Sequence, residues 1–201
     1  MRKRYLVLLS IFIILGGCKG KNSLYDISKI VFEAKSYSAV ADITINGNKG
    51  ISKYKVKQYY TEPDELRLET LDPDFLRGKV VILYKNKWKV HHPLINASFE
   101  IPRPKDDDAL ILMGVIQKSI FIGEDSKLYN AVYKNVNCVC IKSIIPGGNK
   151  FRNSTILYIN EKSKLPIGMT ILDEKGNINI EVIYSEFKFE EELKSSLFKL
   201  R

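Results

Sequence analysis

The fold class of this chain is indicated most clearly by residues 155–187, TILYINEKSKLPIGMTILDEKGNINIEVIYSEF. It contains three runs rich in β-branched and aromatic residues, 155–160, 165–172 and 178–184, which are the residue types that favour strands. A short charged segment separates the first two runs, and the turn-forming segment DEKGN, residues 173–177, separates the last two. Short connections of this kind join antiparallel strands as hairpins.

The same period of two continues towards the N-terminus. Residues 40–45 lead into the turn signal NGNKG at 46–50. Beyond it, one predicted face carries Tyr54, Val56, Gln58 and Tyr60, and the other carries Lys53, Lys55, Lys57 and Tyr59. Further strands are predicted at 65–71, at 79–84 and 87–91 as a hairpin, at 97–101, and at 136–145.

Three segments depart from this period and are predicted to be helical. Residues 24–35 repeat apolar side chains at helical spacing after Ser23, a candidate N-cap. Residues 108–121 begin at the acidic run 106–108, which suits a helix N-terminus, and are so apolar that we expect them to lie across the sheet. Residues 190–200 are predicted to form a short final helix.

This order of elements predicts an α+β fold. A first helix precedes five or six strands, then come a helical insert and four more strands, and no Pro/Gly/Ser-rich linker divides the chain. Because a large sheet with one buried face needs a cover, the first helix and the insert are the available covers.

Composition excludes several classes of protein. The chain has 201 residues, of which 45% are hydrophobic and 27% are charged, so it is neither fibrous nor fully disordered. Its 3 Cys do not make a disulfide scaffold, and its 2 His are adjacent, which argues against His-based metal or catalytic sites. The formal net charge of +9 is spread along the chain, and no compact basic stripe predicts nucleic-acid binding.

The first eighteen residues are typical of a lipoprotein export signal. A basic start, Arg2-Lys3-Arg4, precedes an apolar run at 5–15 that is too short to span a bilayer. The segment Leu15-Gly16-Gly17-Cys18 matches the bacterial lipobox, so we expect a diacylglyceryl group on Cys18 as the new N-terminus. The predicted organisation is a signal peptide at 1–17, a lipidated tether at 18–22 and one domain at 23–201, on the extracytoplasmic face of a bacterial membrane.

The sequence offers few candidates for catalysis or metal binding. His91 and His92 would point to opposite faces of a strand and cannot share one metal ion. Cys138 and Cys140 would share one face, where small apolar residues in a sheet are favoured over a strained disulfide or a redox pair, although their redox state stays open. We therefore predict no catalytic residue, no metal ion, no cofactor and no enzymatic activity.

Two further segments have weak functional signals. The acidic run 106–108 lacks the ligand spacing of a calcium loop, so capping of the following helix is favoured. The segment PGGNK, residues 146–150, lacks the full phosphate-binding motif and lies between strands, which favours a hairpin connection. The only Trp, Trp88, and the many Tyr and Phe are expected in the core, although an incompletely filled face could use them to line a lipid pocket.

The C-terminal third resembles the LolA/LolB-like lipoprotein-carrier superfamily. The resemblance rests on Leu157-Tyr158-Ile159-Asn160, on Leu165-Pro166-Ile167-Gly168-Met169, on the turn at 173–177 and on the long strand ending near Phe187. It implies a large curved antiparallel sheet, a half-barrel of about 9–11 strands, covered by an N-terminal helix and a central helical insert.

Within that superfamily the chain resembles the germination lipoproteins of clostridial spore-formers, the GerS group, in size, lipobox and composition. This resemblance implies a non-enzymatic protein that faces the spore cortex and activates a zinc-dependent N-acetylmuramoyl-L-alanine amidase of the CwlD type. It identifies no partner-binding residues. Two alternatives stay open, a carrier of lipid or lipoprotein acyl chains and an envelope-stress sensor. A free sheet edge would also allow two copies to pair as a homodimer.

Overall fold

The computed structural model of the protein describes residues 24–85, 87–102, 111 and 113–200. Its centre is one antiparallel sheet of eleven strands in the order β6-β5-β4-β3-β2-β1-β11-β10-β9-β8-β7. The strands are β1 (Ser36–Gly47), β2 (Gly50–Thr61), β3 (Glu65–Asp72), β4 (Val80–Tyr84), β5 (Lys87–His92), β6 (Ala97–Pro102), β7 (Lys127–Tyr133), β8 (Val136–Asn149), β9 (Arg152–Asn160), β10 (Pro166–Leu172) and β11 (Ile178–Phe189). Two α-helices are described, α1 (Leu24–Glu33) and the single turn α2 (Lys118–Phe121).

The two halves of the chain meet at the centre of the sheet. β1 pairs with β2 on one side and with β11 on the other, while consecutive strands pair as neighbours elsewhere. Six strands from the first half and five from the second therefore form one open sheet with edges at β6 and β7. This confirms the predicted α+β fold and the large curved antiparallel sheet.

Tight turns close the hairpins that the sequence predicts. In the first hairpin Gly47 pairs with Gly50, and Gly50 adopts a φ of +120°, which glycine tolerates best. Farther along, β8 and β9 form the predicted hairpin, but residues 146–149 belong to β8, with a register shift after Ile144, and the turn lies between the paired residues Asn149 and Arg152. The side-chain oxygen of Asn149 accepts the backbone N–H of Phe151 at 2.9 Å and stabilises that turn.

Side chains alternate between two faces along every strand. The inner face, as we call it, packs against α1 and the segment 111–121, and the outer face lies opposite. As predicted, Val56 and Gln58 are buried on the inner face, while Lys53 and Lys55 are exposed on the outer face. One face of the sheet therefore holds the main core.

The central insert is less helical than predicted. Residues 108–110 and 112 of the predicted helix, and the acidic run 106–108, lie outside the described residues. Of the described part, Ile111 is helical, residues 113–117 are not, and the helical conformation resumes in the single turn α2. The segment does lie against the sheet, and side chains of the inner face bind its backbone directly.

Two further predictions of secondary structure need correction. Strand β7 is not predicted from the sequence. It pairs with β8, and the turn residues Lys134 and Asn135 join the two strands. The predicted final helix at 190–200 is wrong, because this segment is extended apart from one 3₁₀ turn, Ser195–Phe198. Its apolar side chains cover part of the outer face instead. In the described residues, no helix is both long and apolar enough to cross a bilayer.

Candidate functional site: the covered inner face and the free edges

The inner face carries a continuous hydrophobic core, and α1 lies on it. Ile27 and Val31 of α1 are buried against the strands. The strands contribute buried side chains that share this face, among them Val56, Leu68, Leu83, Val139, Leu157, Ile171 and Val182. These groups are close-packed beneath α1, and the described residues leave an apolar cleft of about 350 Å³ beside α1, next to β7 and β8.

Two buried tyrosines bind the backbone of the segment 113–116. The hydroxyl of Tyr184 donates to the carbonyl of Gly114 at 2.6 Å, and the N–H of Ile116 donates to the hydroxyl of Tyr37 at 3.3 Å. Burial raises the pKa of both hydroxyls well above the usual range, so both stay protonated at physiological pH. The sheet thus supplies hydrogen bonds that a helix would make internally.

Gln58 makes a third contact of this kind. Its Nε2 donates to the carbonyl of Met113 at 2.6 Å, and the whole side chain is buried. The neighbouring Gly114 has a φ of +72°, and a Cβ there would lie only 2.8 Å from Cγ1 of Val182. Only glycine fits this position without a shift, because the segment presses directly on the sheet.

Charged groups line the mouth between α1 and the insert. The ammonium of Lys118 contacts the carbonyl of Ala34 and the carboxylate of Glu62, the latter at 2.8 Å. This hydrogen bond and the lysine charge lower the pKa of Glu62, while burial followed by the nearby carboxylates raises the pKa of Tyr60 to about 12. The adjoining cavity of about 310 Å³ includes Asp64 in its lining and is a poor site for an acyl chain.

The edge strands β6 and β7 each have a single neighbour in the part of the chain that the structure describes. An edge of this kind presents unpaired backbone groups that can accept another strand. On β6, Phe99 and Ile101 stand opposite Val90 and Trp88 on the inner face, yet they stay 53% and 41% exposed. This edge therefore combines free backbone groups with an apolar ledge.

Part of the outer face is covered by the end of the chain. We call Val80, Ile82 and Phe198 the tail patch, since Phe198 of the C-terminal segment is buried against the two β4 residues. The guanidinium of Arg67 donates to the carbonyl of Leu197 at 3.3 Å and helps to hold the segment in place. A cleft of about 860 Å³ remains between this segment and the sheet.

In the described part of the chain, no such segment covers a second apolar patch on the outer face. This thiol patch consists of four buried side chains, Cys138, Cys140, Ile156 and Leu172. The rings of Tyr133 and Tyr158 stack beside it with centroids 4.0 Å apart. Both thiols are free, and burial raises their pKa, to about 11 for Cys140. Neither is a poised nucleophile at neutral pH.

The remaining candidates do not converge on a site. His91 lies on the outer face, where its Nδ1 is 2.8 Å from the hydroxyl of Ser98, and His92 follows on the other face, as predicted. The described residues hold no group of three or more His, Cys, Asp or Glu side chains arranged for a metal ion. Cys18 lies outside the described residues, so its lipidation stays a prediction.

The sequence does not predict that Gln58, Tyr37 and Tyr184 bind the backbone of the insert. Gln58 was correctly placed on the buried face, and a buried amide in a row of apolar residues is a signal that it binds something. Nothing local in the sequence distinguishes Tyr37 and Tyr184 from the other tyrosines, since their role depends on a segment about seventy residues away in each case.

Comparison with known families gives one match over nearly the whole chain. Residues 2–198 match the family described as "Sporulation protein YdcC-like". A search of the curated proteins finds no match.

One of the similar solved structures is a complex with a named partner protein. The chain is similar to the GerS lipoprotein in the structure of the CwlD amidase from Clostridioides difficile in complex with GerS, with 27% identity and a TM-score of 0.55, covering 85% of this chain and 96% of that one. An uncharacterized conserved protein from Thermus thermophilus shares the fold, with 16% identity and a TM-score of 0.58, covering 90% and 93% of the two chains. A LolA superfamily protein from Nitrosomonas europaea also matches, with 12% identity and a TM-score of 0.46, covering 89% and 97%.

The likeness to the GerS lipoprotein supports a binding or regulatory role. The GerS-like match covers most of both chains, and the family match extends over almost every residue. This chain belongs to the family of YdcC-like sporulation proteins.

Proposed function

We propose that the protein is a membrane-anchored, non-enzymatic lipoprotein that binds and activates a spore cortex amidase of the CwlD type. The observation that carries this proposal is the 27% identity, over 85% of the chain, to the GerS lipoprotein found in complex with such an amidase. The sporulation family supports the same cellular setting. Activation would serve cortex modification and germination, with the protein facing the cortex from the extracytoplasmic side of a membrane and anchored at Cys18.

The packed inner face supports a partner-binding role over the carrier alternative. A carrier of the LolA type needs a deep apolar groove between its sheet and its covering segments, and here core side chains fill the space beneath α1 and the insert, although a cleft of about 350 Å³ remains beside α1. Three side-chain hydrogen bonds hold the insert in place, and Lys118 closes one side of the mouth. Loading a lipid would require the loss of these contacts.

The chemistry of the described side chains is consistent with a non-enzymatic role. The two free thiols are neutral at physiological pH because burial raises their pKa. The ionisable groups at the mouth, Lys118 and Glu62, neutralise each other in an ion pair.

The edge strand β6, which has one neighbour in the described part of the chain, is the docking strip that we assign to the amidase. A strand of the partner can add to its backbone, while Phe99 and Ile101 give an apolar contact beside it. Activation then requires that the protein bind the zinc-loaded, active form of the amidase better than the inactive form. The same kind of edge can also pair two copies of this chain, so a homodimer is part of the proposal.

The test measures the zinc affinity and turnover of the cognate amidase with and without the mature protein. We expect a complex of defined stoichiometry by native mass spectrometry, tighter zinc binding and faster turnover. An amidase whose zinc affinity and turnover are both unchanged would overturn the activator role.

Edge variants locate the interaction. Ile101→Lys on β6 should weaken the complex, whereas Val132→Lys on the opposite edge β7 is the matched control and should bind as the unmodified chain does. Equal loss in both variants would contradict docking at β6. Circular dichroism of both variants checks that the sheet is intact.

A further inference from the structure

An apolar cleft lies where α1 meets the start of β7. It has a volume of about 350 Å³, and its walls include Phe32, Phe121 and Ile141. At its mouth, three large side chains from three different elements are exposed, Tyr25 at 66%, Ile122 at 62% and Leu128 at 38%. Exposed apolar groups that converge from α1, from the loop after α2 and from β7 mark a contact surface.

The length of chain before α1 indicates what this surface contacts. Only residues 19–23 separate Cys18 from Leu24, and a fully extended chain spans at most about 3.5 Å per residue, or roughly 20 Å in all. A lipid on Cys18 would therefore hold the first turn of α1, and Tyr25 with it, within that distance of the bilayer.

Three other exposed apolar groups lie far from the cleft along the sheet. Phe75, Leu94 and Ile95 stand on the loops after β3 and β5, at least seven strand positions from β7. At about 4.8 Å per strand, seven positions correspond to roughly 34 Å along the sheet. The tether brings the cleft to the membrane and not these loops.

Charge does not drive this contact. Around the cleft, Lys29 forms an ion pair with Glu33 at 3.4 Å. The two negative charges of Glu124 and Asp125, in the loop after α2, exceed the one positive charge of Lys127 at the start of β7. Two lysines, Lys19 and Lys21, lie in the tether itself. The surface is therefore suited to shallow insertion of Tyr25 and Ile122 among lipids, with Tyr25 in the interfacial position that tyrosine prefers.

We propose that the mouth of this cleft, formed by Tyr25, Ile122 and Leu128, is a membrane-docking surface that seats the domain on the lipid bilayer to which Cys18 anchors it. The proposal rests on the lipid anchor of the proposed function and does not depend on the amidase. It places β7 next to the membrane, while β6 lies at the other end of the strand order.

The test uses the full mature lipoprotein in vesicles of phosphatidylglycerol and phosphatidylcholine, with brominated phosphatidylcholine as a quencher of tryptophan fluorescence. Tyr25→Trp and Ile122→Trp place probes at the cleft, and Phe75→Trp, 69% exposed in the native chain, is the matched control far from it. The native Trp88 is buried and provides a constant background. Intact mass confirms the diacylglyceryl group in every sample.

We expect the two cleft probes to be quenched several-fold more strongly than the Phe75→Trp control, and to stay quenched at high salt because the contact is apolar. Equal quenching of all three probes, or quenching of none, would overturn the proposal. Loss of quenching on addition of the amidase would also overturn it, because the cleft would then belong to the partner. Absence of the diacylglyceryl group would remove the anchor and with it the docking surface. Amidase binding is scored separately by native mass spectrometry, so failure of the activator role leaves the quenching result readable.

Discussion

The inner and outer faces of the sheet show what the same alternating sequence pattern does under different covers. On the inner face, α1 and the insert lie over the strands, and buried polar groups such as Gln58 and Tyr184 bind the backbone of the insert. On the outer face, the C-terminal segment covers the tail patch, and tyrosine rings pack against the thiol patch.

The difference separates folding from recognition. The inner face contains the largest cluster of buried apolar residues, so its residues act mainly on stability. Recognition is then left to what stays unpaired or exposed, namely the edges β6 and β7 and the cleft beside α1. Substitutions on the two faces should therefore have unequal effects.

The largest effect is expected from two neighbours on β9 that point to opposite faces. Leu157 is fully buried on the inner face, whereas Ile156 is in the thiol patch at the limit of burial. Leu157→Ala should lower the free energy of unfolding by about 4 kcal/mol and Ile156→Ala by about 2 kcal/mol, because the thinly covered site can collapse or admit water. Urea denaturation with a constant m-value measures both. Equal losses would mean that the outer face is packed as tightly as the inner face.

The tail patch should come next. Phe198→Ala removes the ring that covers Val80 and Ile82 and should cost about 3 kcal/mol, at the low end for a buried Phe because a chain end can move aside. The control is Phe151→Ala in the exposed turn after β8, which should change stability by under about 0.5 kcal/mol. Faster proteolysis near Lys194 in the Phe198 variant would show that the segment has detached. A Phe198 variant as stable and as protease-resistant as its control would refute the covering role.

The hydroxyls of Tyr184 and Tyr133 make hydrogen bonds on opposite faces of the sheet. Removing each hydroxyl therefore compares the stability that a polar contact gives on the two faces. Tyr184→Phe removes the 2.6 Å hydrogen bond to Gly114 and leaves a buried carbonyl unpaired, so we expect a loss of about 1.5 kcal/mol. Tyr133→Phe removes a 2.9 Å hydrogen bond to Glu181 at a half-buried site, where water can replace it, and should cost about 0.5 kcal/mol. Thermal and urea unfolding of the pair measure the difference. A larger loss for Tyr133 would contradict the assignment of the insert as a fixed part of the core.

The sequence predicts well what depends on a period of two. Gln58 and Val56 fall on the buried face, and Cys138 and Cys140 share a face as small buried residues, because both results follow from local alternation. Strand β7 is not predicted in this way. Its turn residues Lys134 and Asn135 both adopt a positive φ, and no glycine in the sequence signals a turn there.

Other elements depend on distant partners. The insert is apolar enough to be helical, but Tyr37, Gln58 and Tyr184 offer its backbone hydrogen bonds that compete with a helix. The C-terminal segment has the leucines of an amphipathic helix, yet it extends because the apolar surface around Ile82 needs covering along its length. The candidate binding surfaces are likewise defined by what remains uncovered after folding, which no local pattern encodes.

The smallest effect is expected at the thiol patch. The experiment tests whether the tyrosine rings alone exclude water from it. Burial raises the pKa of Cys140 to about 11, from the value near 9 of an exposed thiol, and only the thiolate is alkylated. In a Cys138→Ala variant, the rate of alkylation of Cys140 should therefore keep rising about tenfold per pH unit beyond pH 9. The folded state disfavours the thiolate, so the stability that burial of the neutral thiol provides is complete below pH 9 and is lost between about pH 9 and 11. Urea-unfolded protein is the control, and its rate should level off near pH 9. A folded protein that levels off at the same pH would show that water reaches the patch, and the outer face would then be open there to a partner as well.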